Sequence, residues 1–70
     1  MRKRDRERLA AALKQARERM NQTQTEFAAH LGVNQATISR WEERGPTNGP
    51  ARLAVQKIID AVENVYGPAR

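Results

Sequence analysis

The chain of 70 residues has no cysteine, one histidine and only three aromatic residues, Phe27, Trp41 and Tyr66. Without cysteine there is no disulfide, thiol nucleophile or thiolate metal site, and the composition suits a reducing cytoplasm. The lone His30 lies on the outward part of a helical pattern with no partner for catalysis or metal binding, and reads as solvated. No apolar run is long enough to cross a bilayer. The opening "MRKRDRERLAAALKQ" is basic like the start of a signal peptide, but Asp5, Glu7, Lys14 and Gln15 interrupt any apolar segment behind it. Repeats, low-complexity tracts and a second domain are also missing. A chain of this length supports one modest core and not an enclosed active site as well. No nucleophile, base and electrophile can be assembled. The expectation is a single domain over residues 1–70, not an enzyme, with no cofactor or metal.

What is abundant is charge. Charged residues make up 30% of the chain and apolar ones 39%, with thirteen Lys and Arg against eight Asp and Glu. The net charge of +5 and a pI near 10.8 point to a polyanionic partner.

Along the chain, Leu9, Leu13, Ala16 and Met20 recur at helical spacing among Arg, Glu and Lys, which predicts an amphipathic helix from about Asp5 to Met20. Arg2, Lys3 and Arg4 add positive charge where a helix dipole is already positive, so residues 1–5 are expected to form a basic arm. That arm is either a solvated end or a segment that reaches phosphates or a minor groove. Thr23 and Glu26 are spaced as a capping box, which starts a second helix at about Gln24. Phe27, Ala28 and Leu31 form its inner face, and Gly32 can take the left-handed conformation that ends it. Asn34 is a second N-cap candidate, followed by a helix over about Gln35 to Glu43 with Ile38 and Trp41 inward. "RGPTNGP" is a loop, and Pro50 suits the first position of a last helix ending near Val65.

The stretch "TQTEFAAHLGVNQATISRW" therefore holds two short helices separated by a glycine-containing break, with Ala28 small enough to let them approach closely. This is a helix-turn-helix over about residues 23–43. Ile38 and Trp41 hold its second helix from behind, leaving Gln35, Ala36, Ser39 and Arg40 facing away, with side chains suited to a groove.

"TQTEFAAHLGVNQATISRWEERG" resembles the Cro and phage-repressor-like regulators, the XRE family, through Gln24, Ala28, Gly32, Val33, Ile38 and the pair Trp41 and Glu42. The likeness extends from about Leu13 to Val62. It implies an all-α, compact lambda-repressor-like domain of four helices, or five, that binds double-stranded DNA. The helix from Gln35 becomes the recognition helix, with Gln35, Ala36, Ser39 and Arg40 at base edges. Gln pairs with adenine and Arg with guanine, each worth roughly 1–3 kcal/mol of discrimination. Gln24 would touch phosphate and brace Gln35, while Asn34, Thr37, Thr47, Asn48 and the Gly49 amide would contact the DNA backbone. Arg17 and Glu42 occupy the places of a fold-clamping ion pair in that family, so Arg17 is not expected to touch DNA. Trp41 and Phe27 fall at core spacing.

The last helix carries a broad apolar stripe, and Val55, Ile59, Val62, Val65 and Tyr66 are candidates for a homodimer seam. A two-fold dimer reads two half-sites about 34 Å apart, hence a palindromic operator. The leading expectation is a small cytoplasmic repressor controlled by its own concentration. A phage switch, an antitoxin, a restriction controller and a regulator of an anti-CRISPR operon all remain open. The competing reading is an antitoxin-like module that binds and neutralises a protein partner, with DNA binding secondary. A membrane-lying basic helix would need a larger apolar face on the first segment.

Overall fold

In the computed structural model, which describes residues 2–68, four helices follow one another: α1 Lys3–Arg19, α2 Gln24–Leu31, α3 Gln35–Arg44 and α4 Gly49–Tyr66. The fold is all-α. α1 packs against both α3 and α4, and α2 packs against α3. Its inner stripe of Leu9, Ala10, Leu13 and Ala16 is buried. One core cluster draws Leu9 and Leu13 from α1, Phe27 and Ala28 from α2, Ile38 from α3, and Val55 and Ile59 from α4. The larger of these side chains each contribute on the order of 1.5–3 kcal/mol by leaving water. Trp41 is only half-buried and packs against the edge of that cluster.

α1 begins at Lys3, with Arg2 as its N-cap, so most of the arm expected at residues 1–5 is helix; Met1 lies outside the described residues. The dipole penalty is offset in part by Asp5 in the first turn, which accepts from Arg52 Nε at 2.9 Å and from Arg8 Nη2 at 3.1 Å. The bond from Arg52, and then that from Arg8, hold the Asp5 carboxyl below its ordinary value of 3.8.

The capping box at α2 is complete. Thr23 Oγ1 accepts from the Glu26 amide at 3.1 Å, and Glu26 Oε1 accepts from the Thr23 amide at 2.9 Å. That backbone bond, with the one from the Thr23 hydroxyl, lowers the Glu26 carboxyl from its ordinary 4.5. Thr23→Ala should therefore remove about 1 kcal/mol of stability and lower Tm by roughly 4–8 °C. Asp5 and Glu26 both have depressed folded-state values, so their contribution is complete at neutral pH and is withdrawn as pH falls through and below the ordinary carboxylate range. Thermal melts at about pH 7 and about pH 3 should show this loss, and Glu26→Gln should flatten part of it.

α2 ends at Gly32, whose φ of 74° and ψ of 28° are left-handed. The Val33 amide donates to the Ala28 carbonyl at 3.0 Å and the Gly32 amide to that of Ala29 at 3.3 Å, the two bonds of a Schellman motif. Val33 then packs on the core and turns the chain directly into α3. Asn34 holds the N-cap position of α3, but its side chain makes no capping bond, contrary to expectation. α4 starts at Gly49, one residue before Pro50, because Asn48 Oδ1 accepts from the Ala51 amide at 2.8 Å.

The seam expected on α4 is corrected by its burial. Val55 is fully buried, and Ile59 and Val62 are each 6% exposed, so all three face this chain's own core. Val65 and Tyr66 do stand in solvent, at 75% and 52% exposure, and so does Leu53 one turn into the helix. Arg19 Nη2 donates to the Tyr66 carbonyl at 2.7 Å, tying the end of α4 to the end of α1. Among the described residues no helix is long and apolar enough to cross a membrane.

Candidate nucleic-acid interface

The site is built on a short chain of hydrogen bonds that begins at a part-buried ion pair and ends on the exposed first turn of α3. Arg17 of α1 donates from Nε to Glu42 Oε2 at 2.7 Å and from Nη2 to Glu42 Oε1 at 3.0 Å. Its Nη1 also donates to the Gln22 carbonyl at 2.8 Å, tying the turn before α2 into the same group. The pair is well shielded, with side-chain exposures of 14% for Arg17 and 5% for Glu42. Hydrogen bonding to Glu42 raises the Arg17 guanidinium above its ordinary value, so it stays charged.

A carboxylate can only accept, and this decides the polarity of the next link. Gln24 Nε2 donates to Glu42 Oε1 at 3.1 Å, which leaves Gln24 Oε1 to accept from Gln35 Nε2 at 2.8 Å. Gln35, exposed in the first turn of α3, thus keeps its own Oε1 and one N–H unspent. Those two groups are what a bidentate contact with an adenine edge requires. The expected brace between Gln24 and Gln35 is present, and Arg17 has the fold-clamping place foreseen for it.

Around this chain, Ala36 and Arg40 are exposed on α3, whereas Thr37 and Ser39 are half-buried. Ser39 is turned toward a shallow cleft of about 380 Å³ that it shares with Lys14, Arg17, Gln24, Glu42 and Glu43. Asn34, Thr47, Asn48 and Gly49 are all exposed at the two ends of α3 and the start of α4. Asn48 has already committed Oδ1 to its own helix, so its Nδ2 is the group left for an outside acceptor. Sequence reasoning missed Lys14, an exposed cation one turn before Arg17. Its helical spacing from Arg17, the residue expected to clamp the fold beside the site, was the available signal. It also missed Arg44, which extends α3 by one residue.

The helix-turn-helix family matches residues 13–62, which is well over half of the chain. The chain belongs to the helix-turn-helix family. The matched segment coincides with the span over which the sequence resembles Cro and the phage repressors, and the family is one of DNA-binding domains. Among curated proteins, the type II methyltransferase M.SsoII of Shigella sonnei is 44% identical over 55 residues. That alignment covers 74% of this chain and 14% of the methyltransferase, so the chain spans only a small part of that relative's length. No solved structure matches it significantly.

Proposed function

We propose that this helix-turn-helix domain reads DNA sequence through α3 and acts as a small transcriptional regulator, most simply a repressor of its own promoter. The observation that carries the reading is the link from Arg17 through Glu42 and Gln24 to Gln35, which fixes the donor and acceptor ends of a side chain exposed on the second helix of the motif. Orienting an exposed glutamine adds little to folding. It is useful when that glutamine must meet a base edge without first losing its rotamer freedom. Arg40, exposed on the same helix, is the second base reader and guanine its partner. Ala36 and Ser39 complete the groove face, while Asn34, Thr37, Thr47, Asn48 and Gly49 hold the backbone and set register.

A two-fold dimer on a palindromic operator completes the proposal, since one domain of this size makes few base-edge contacts. With Val55, Ile59 and Val62 spent on the core, the seam falls to Val65 and Tyr66.

Gln35→Ala and Arg40→Ala should each cost roughly 1–3 kcal/mol on the preferred site and relax preference at particular base pairs. Competition binding with single-base variants of the site reads this directly. A uniform loss on all sequences from Arg40→Ala would reassign that residue to the backbone.

A second reading follows from the similarity to M.SsoII, a methyltransferase of which the aligned segment is 14%. In this reading the domain is the DNA-recognising module of a larger enzyme, and the same α3 residues do the recognising.

A further inference from the structure

Beside the start of α4 lies a second basic feature that the recognition face does not use. Arg2, Arg4, Arg8 and Arg52 converge with Asp5 and Gly49 around an open cleft of about 660 Å³. Among the described residues Asp5 is the only acid lining it, and it is shared between Arg8 and Arg52 at 3.1 and 2.9 Å. Three positive charges are left uncompensated within one small volume. Arg2 and Arg4 are exposed, and the side chains of Arg8 and Arg52 are 59% and 39% exposed.

Such an arrangement works against the isolated fold. Lys3 and Arg4 stand in the first turn of α1, and α4 has no acid in its first turn. Cations at helix starts oppose the dipole, and neighbouring guanidiniums repel one another. A polyanion removes both penalties together. The guanidinium fork matches phosphate oxygens in geometry as well as charge. The cleft is also continuous with the proposed interface, because Gly49, one of its walls, closes the loop that carries Thr47 and Asn48.

We propose that the cleft lined by Arg2, Arg4, Arg8 and Arg52 is a second DNA-backbone contact, gripping phosphates beside those met by residues 47–49. This rests on the DNA-binding reading and extends the footprint beyond the groove that α3 enters. Asp5 holds Arg8 of its own helix and Arg52 of α4 together at the cleft.

The test is a salt titration of binding to a mixed-sequence duplex of about three helical turns, roughly 30 base pairs. It compares the wild-type protein, Arg2→Gln/Arg4→Gln and Lys57→Gln. The first variant removes two cleft charges that make no ion pair among the described residues, and the last removes an exposed charge outside the cleft. Loss of two phosphate contacts should reduce the slope of log K against log salt by about 1.8 and weaken binding about thirtyfold near 0.15 M salt. Lys57→Gln should change the slope by less than half as much. A double variant with the wild-type slope, on DNA that the wild-type protein binds in a salt-dependent way, would overturn the cleft proposal and leave the reading of α3 intact. Failure of the wild-type protein to bind the duplex at low salt would remove both.

Discussion

Gly45→Ala should lower the stability of the domain more than a methyl added at any of the other three glycines. Gly45 is buried, with φ of 82° and ψ of 172°, a combination essentially confined to glycine. A Cβ added there would overlap the backbone carbonyl oxygen of Arg6 and lie 2.8 Å from its carbon. Neither atom can swing aside, because both belong to the main chain of α1. Strain and overlap together should cost about 3 kcal/mol or more, a large fraction of what a domain of this size possesses. Gly32→Ala is the natural control. Its φ of 74° is also left-handed, but nothing stands within 4 Å of the added carbon. It should cost only about 1–2 kcal/mol. Thermal melts of the two variants should therefore be well separated, and coincident melts would show that the packing of α1 on the loop after α3 is unimportant.

The second large effect is at Glu42. Glu42→Ala strands the shielded Arg17 guanidinium with only the Gln22 carbonyl, and should destabilise by about 3–5 kcal/mol. The same change removes the acceptor that orients Gln24, and through it Gln35. Unfolding and loss of aim can be separated with Arg17→Met/Glu42→Leu, since replacing both members of a buried pair by apolar groups is often close to neutral. That double variant should recover most of the stability and still discriminate poorly at the base read by Gln35. If it folds and reads DNA like the wild-type protein, the hydrogen-bond chain serves folding alone.

Much of this architecture is legible in the residue order because its signals are local. Thr23 and Glu26 are three residues apart and satisfy one another; Gly32 ends a helix by its own backbone freedom; Leu9, Leu13 and Ala16 repeat at the period of one helix face. The less legible parts depend on neighbours distant in sequence. Arg52 steadies the start of α1 from 47 residues away, so residues 3–5 are helical where charge alone argued for an arm. The contact between Gly45 and Arg6 is likewise invisible until α1 and the loop share a register. On α4 a helical wheel gives the angle of each apolar residue but not what lies opposite, so Val55, Ile59 and Val62 could not be separated from Val65 and Tyr66 before their burial was seen. The pairing of Arg17 with Glu42 came from family resemblance, since thirteen cations and eight acids allow many other pairings.

The most direct test of the central claim, that α3 reads base sequence, is selection of bound duplexes from a random pool by the purified protein, followed by affinity measurement on the enriched site and a scrambled one. The expected result is an enriched two-fold symmetric site with adenine and guanine at fixed positions. It should be bound about a thousandfold more tightly than scrambled DNA, and the preference should weaken in Gln35→Ala and Arg40→Ala. Salt-sensitive binding with no enriched sequence would contradict the claim and reduce the positive charge to a generic attraction for DNA.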